Sequence, residues 1–228
     1  MKVRGMQGHP RRAAVIAALL VPLLGACAAL GPGPAPAVAR YRLAPAPVAH
    51  AALPSTGPVI AVDPPAAVPG LGGRGMAYVT QRYRIAYFAR HGWIAPPARM
   101  LEPLLVAALR RRGGLRAVPA SVAVAAGLRL DTRILALQQE FTARPSRERV
   151  AVRAWLIDAR SGRLVATRVF TAVAPAPQDD PYGGVQAANR AVADVLDALA
   201  AFCRAQVRAR VAAPAAPGAA ASPRPTPP

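Results

Sequence analysis

Val150-Ala151-Val152-Arg153-Ala154-Trp155-Leu156-Ile157, then Asp158-Ala159-Arg160-Ser161-Gly162, then Leu164 to Val173: this stretch decides the fold. Val150, Val152, Ala154 and Leu156 alternate with Ala151, Arg153, Trp155 and Ile157, a period of two that predicts a strand. The Asp-Ala-Arg-Ser-Gly segment carries turn chemistry, and Leu164–Val173 returns as the partner of a hairpin. Upstream, Leu128 to Phe141 reads as a longer strand with Leu128, Leu130, Ile134 and Ala136 on one face, broken from the hairpin by Pro145-Ser146. Together these segments predict an antiparallel meander.

After the meander, Asp179-Asp180-Pro181 is a carboxylate pair. Such pairs can run general acid–base chemistry. The local grammar favours a helix start, with Asp180 as cap and Pro181 in the first position. Val185, Ala188, Val192, Val195, Leu196, Leu199, Phe202 and Cys203 then form one apolar stripe, which makes Cys203 a buried, inert thiol. Before the meander, Pro96 to Arg112 repeats apolar residues at Leu101, Leu104, Leu105, Ala108 and Leu109. Pro97 suits the first turn, Arg110–Arg112 complement the helix dipole, and Gly113-Gly114 ends the helix. Leu115 to Val118 is a short strand.

Nearer the N-terminus, Arg40 to Leu43 and the β-branched Val59 to Val62 read as strands, each stopped by prolines. Gly70-Leu71-Gly72-Gly73-Arg74-Gly75 spells G-x-G-x-x-G, but the strand-like Met76 to Thr80 follows where a dinucleotide site needs a helix. It is read as a loop, and no cofactor is expected. Tyr78 to Trp93 concentrates aromatics among arginines. Tyr83, Ile85 and Tyr87 alternate with Arg82, Arg84 and Ala86, so a strand with one packed and one wet face is the first reading. Partner contact is the second, with Tyr83, Arg84, Tyr87, Arg90 and Trp93 as candidates. The class that results is α+β: an antiparallel sheet packed with two principal helices, a single domain over residues 40–208.

Outside the domain, the N-terminal segment reads as a secretory leader. Lys2, Arg4, Arg11 and Arg12 precede an apolar run, Ala13 to Leu24, too short to span a bilayer as a mature helix. It closes on Leu24-Gly25-Ala26-Cys27, the order of a bacterial lipobox. Residues 1–26 are expected to be removed between Ala26 and Cys27, with Cys27 acylated. Ala28 stands where an aspartate would hold a lipoprotein in the inner membrane, so the periplasmic face of the outer membrane is expected. Residues 27–39 read as an Ala/Pro-rich tether and 209–228 as a disordered Ala/Pro-rich tail.

Net charge is +19, or +15 once the four cations of the leader are gone. Such charge favours anionic surfaces. Nucleic acid is not expected as a partner, because an exported chain does not meet it. With Cys27 acylated, Cys203 has no disulfide partner. Only His50 and His91 follow the leader, in no ligand-spaced pair, so no metal site is expected. There is no G-x-S-x-G, no H-E-x-x-H and no Walker A motif, so no catalytic residues are expected.

The order of these pieces resembles the ABC-type transport auxiliary lipoproteins, the PqiC-like lipoproteins. The resemblance rests on the lipobox at Cys27, the strands at Tyr41-Arg42-Leu43 and Val59 to Val62, and Tyr87-Phe88-Ala89-Arg90-His91-Gly92-Trp93 continuing through Pro97 and Met100-Leu101 to Leu109. Arg163 to Phe170 and the Ala-rich last helix complete it, over about residues 40–207. The prolines and glycines near 64–73 and the tail depart from the pattern. The resemblance implies a non-catalytic outer-membrane lipoprotein acting beside an MCE-domain protein, an ABC permease and an ATPase in lipid transport between membranes. By analogy, a homo-oligomeric ring would suit docking. The alternative is a basic envelope lipoprotein that binds lipopolysaccharide or peptidoglycan with no transporter.

Overall fold

A computed structural model describes residues 37–45, 57–122 and 124–212. The expected leader, its cleavage site, Cys27 and most of the tether and tail lie outside the described residues. The chain divides into two units, 1–37 and 38–228, and all described elements belong to the second.

The described residues form nine strands and two helices: β1 (Ala39–Tyr41), β2 (Val59–Val62), β3 (Ala66–Ala67), β4 (Gly75–Gln81), β5 (Arg84–Trp93), α1 (Pro97–Arg111), β6 (Arg116–Pro119), β7 (Leu128–Glu140), β8 (Arg147–Asp158), β9 (Leu164–Pro175) and α2 (Pro181–Ala212). The α+β class with two principal helices is as the sequence predicts. The meander is antiparallel along its whole length, β7 to β8 and β8 to β9. The sheet as a whole is mixed, however. The other edge of β7 is shared by three short strands, all parallel to it: β2 through Ile60–Val62 opposite Leu128–Leu130, β3 opposite Arg133–Ile134, and β4 through Ala77–Val79 opposite Gln138–Glu140. β6 extends β2 in parallel, β5 pairs antiparallel with β4, and β1 joins β5 in parallel. Composition and turn signals cannot show these parallel joins, because the partners are distant in sequence.

Both helices contribute to one core with one face of this sheet. Leu130 and Ile134 of β7, Val152 and Leu156 of β8, and Phe170 of β9 meet Leu105 and Leu109 of α1 and Val192 and Leu199 of α2. Large apolar side chains buried this way contribute about 1.5–3 kcal/mol each relative to exposure. The stripe read on α2 is the buried one, Cys203 included, and burial pushes that thiol up to about 12. The helix runs to Ala212, past the boundary expected at 208.

One alternation changes phase. Leu128, Leu130 and Ile134 are buried as predicted, but Leu137 is buried where Ala136 was expected. A bulge between Ile134 and Ala136 inserts one residue and moves the inward set from even to odd positions.

The reading of β5 is reversed. Ile85 and Tyr87, expected on the packed face, are 56% and 46% exposed. Register places Ile85 beside Val79 and Glu140, on the face turned away from the helices. Phe88 takes the inner side, stacked on Tyr78 at 4.5 Å between ring centres. Alternation shows that a strand has two faces. Which one the helices cover is a tertiary fact.

Candidate functional site

At one end of the sheet, β4 turns into β5 through Arg82 and Tyr83. Tyr83 sits at φ 70°, a left-handed conformation that β-turns give to Gly or Asn. Its ring is 90% exposed and lies 5.0 Å from the Arg82 guanidinium carbon. Beside the turn, Arg147 and Arg149 open β8. Spaced i, i+2 on a strand, they share one face. Both reach Glu140 at the end of β7, Arg149 Nε at 2.6 Å and Arg147 Nε at 3.0 Å. Burial alone would raise the Glu140 carboxyl, but the hydrogen bonds from Arg149 and Arg147 hold it below its ordinary value. The Glu140 bond in turn raises Arg149.

Between turn and strand lies a shallow cavity of about 530 Å³, whose lining includes Arg82, Tyr83, Arg84, Glu140, Arg147 and Arg149. Four cations face one acid. Among the described residues, neither Arg82 nor Arg84 forms an ion pair. The arrangement suits anionic groups. Among the described residues no group of His, Cys, Asp and Glu could hold a metal ion, and no helix is long and apolar enough to cross a membrane.

Behind the cavity, the inner face is tied by a buried polar knot. Gln139 Nε2 donates to Ser146 Oγ at 2.9 Å and to the Asp180 carbonyl at 3.1 Å. The Ser146 amide donates to Asp179 Oδ1. Asp180 caps α2 as read from the sequence, accepting from the Gly183 amide at 2.6 Å. The carboxylate pair is therefore structural. Glu148, fully buried on this side, is pushed well above its ordinary value by burial and then by Glu140.

The five candidate contacts separate. Tyr83 and Arg84 stand at the turn, and Tyr87 and Arg90 are exposed further along β5. Trp93 is 3% exposed and belongs to the core, so it is no surface contact. Strand β1 covers it from one side, with Tyr41 opposite Trp93 in register. Arg147, Arg149 and Glu140 were missed. The i, i+2 arginines were visible in the sequence, but the register that sets them against Glu140 and beside a turn sixty residues earlier was not.

The model of the ABC-type transport auxiliary lipoprotein component family matches residues 41–200, from β1 into α2. Among solved structures, a Xanthomonas campestris protein of family DUF330 superposes with a TM-score of 0.63 at 18% identity, covering 78% of this chain and 96% of that one. A second structure, described only as an uncharacterized protein, gives 0.59 at 18% identity, covering 73% and 99%. These likenesses establish the fold. No curated protein matches the chain in sequence. With a family match that spans the sheet and most of both helices, the chain belongs to the ABC-type transport auxiliary lipoprotein components.

Proposed function

We propose that this protein is a non-catalytic subunit of an MCE/ABC-type lipid transport system, anchored through acylated Cys27 to the periplasmic face of the outer membrane. The observation that carries the reading is the family match over residues 41–200. The Leu24–Cys27 lipobox supports the anchor, and Ala28 supports the outer membrane over the inner. The protein fixes one end of the assembly, with Tyr87 and Arg90 of β5 as contacts to the MCE-domain protein.

The test is an affinity pull-down of the native lipoprotein from detergent-solubilised envelopes, with metabolic palmitate labelling of the same strain. Recovery of an MCE protein with its permease and ATPase, and label lost in Cys27→Ala, is the expected result. Recovery of lipopolysaccharide or peptidoglycan alone would overturn the transport reading. The mass of the native complex would show whether copies form a ring.

A further inference from the structure

Three features of the β4–β5 turn lack a structural explanation. A bulky aromatic occupies a left-handed position that costs about 1–2 kcal/mol for an L-residue. Two arginines flank it without ion-pair partners among the described residues. Ile85, next along the strand, is left exposed on the open face. A strained, exposed aromatic is the kind of outlier that function maintains. An exposed cation–π contact with Arg82 is worth about 0.5–1 kcal/mol and does not cover the strain.

The path of the chain supplies the orientation. β1 pairs in parallel with β5, Ala39 opposite His91. The chain therefore enters β1 from the end of the sheet where β5 begins, which is the end that carries the turn. From Arg84 to His91 the strand spans about 23 Å, at ~3.3 Å per residue. Eleven residue steps separate Cys27 from Val38, and a chain of that length can reach at most ~40 Å. A chain of that length lets the turn reach the surface to which Cys27 would be bound.

Charge at this end fits such a surface. Arg82, Arg84, Arg144, Arg147 and Arg149 gather there, against Glu140, Asp179 and the capping Asp180. Arginine forks match phosphate oxygens, and tyrosine suits the boundary between head groups and acyl chains.

We propose that the Arg82-Tyr83-Arg84 turn, with the Arg147/Arg149 wall beside it, is a second membrane contact that binds the phosphates of anionic lipid head groups. The several acyl chains expected on Cys27 already meet the two-signal requirement for anchoring, so the turn orients the domain on the bilayer rather than holding it there. The contact deepens the anchoring role and rests on that reading for the side of the domain that meets the bilayer.

The experiment uses the mature chain carrying Cys27→Ser, so that attachment does not depend on acylation. It is mixed at low ionic strength with vesicles of phosphatidylethanolamine and phosphatidylglycerol, and separately with phosphatidylcholine alone. The chain is expected to co-sediment with the anionic vesicles. Arg82→Ala/Arg84→Ala should weaken attachment about thirtyfold, as for two arginines near an anionic surface. Arg160→Ala/Arg163→Ala, at the opposite end of the sheet, should change it less than twofold. Equal loss from both pairs would mean bulk charge, and no loss from the first pair would remove the turn; either overturns the proposal. So would binding of inorganic phosphate by calorimetry without vesicle attachment, or turn variants that lose only the MCE protein in a pull-down. Palmitate labelling at Cys27 is scored separately, so failure of the anchor and failure of the turn are distinguishable.

Discussion

The Asp158–Gly162 turn and the Arg82–Tyr83 turn close hairpins at opposite ends of one sheet. The first follows every local rule. Asp158 accepts hydrogen bonds from the amides of Arg160 and Ser161 and from the Ser161 hydroxyl. The two bonds from Ser161 hold its carboxyl down at about 2, with a further contribution from Arg210. Glycine stands where the backbone is left-handed, at Gly162, φ 69°. The second turn breaks the same rules. It puts tyrosine at φ 70° and supplies no acid of its own to its arginines. A turn that needs only to reverse the chain is made from residues that do so cheaply. A turn made from costly residues points to a surface the chain must meet.

If the strained end is braced from behind, the brace is Gln139. A Cβ on Gly184 would overlap Gln139 Oε1, on a side chain whose amide nitrogen is held by two hydrogen bonds. Gly184→Ala should therefore cost about 2–3 kcal/mol, from overpacking and lost buried hydrogen bonds. Denaturant unfolding measures it, and a change below 0.5 kcal/mol would break the idea of a brace.

The opposite end sharpens the contrast through pH. Asp63 is pushed up to about 6, by burial and then by Asp131, although Arg129 Nε lies 3.2 Å from it. A carboxyl raised on folding stabilises fully below its unfolded value near 4 and loses that contribution as pH rises through about 6. Relative to the parent, Asp63→Asn should gain on the order of 1–2 kcal/mol between pH 4 and pH 7. Parallel stability curves for the two proteins would contradict this.

Much of the molecule is legible in its residues. Period-two runs and an Asp-Ser-Gly turn reveal the meander, because local chemistry settles both strands and connection. The stripe from Val185 to Cys203 reveals α2, and Asp180-Pro181 its start. What is not legible depends on partners far apart in the chain. The two-residue β3 is fixed by parallel pairing with β7, and β2, legible as a strand, takes its place in the sheet the same way. The β7 bulge hides in an unbroken apolar run, Ile134-Leu135-Ala136-Leu137. Trp93 and Ile85 were assigned to the wrong environments because nothing in β5 itself says which side the helices cover. Of the site, Tyr83 and Arg84 stood out by composition, whereas Arg147 and Arg149 needed the sheet to bring them near.

At the ordinary turn, Gly162→Ala meets no steric obstacle but puts a side chain at positive φ. It should cost about 1 kcal/mol and leave vesicle attachment unchanged, read by unfolding and co-sedimentation. A loss of attachment would mean that both ends meet the membrane.

The mirror change separates what Tyr83 does for the fold from what it does at the membrane. Tyr83→Gly relieves roughly 1–2 kcal/mol of backbone strain and adds about 0.5–1 kcal/mol of lost backbone entropy. Stability and attachment to phosphatidylglycerol-containing vesicles should be measured on the same preparation. The expected result is a domain about 0.5 kcal/mol more stable that attaches several-fold more weakly. A domain that loses stability while attaching as before would show that Tyr83 serves the fold, and would contradict it.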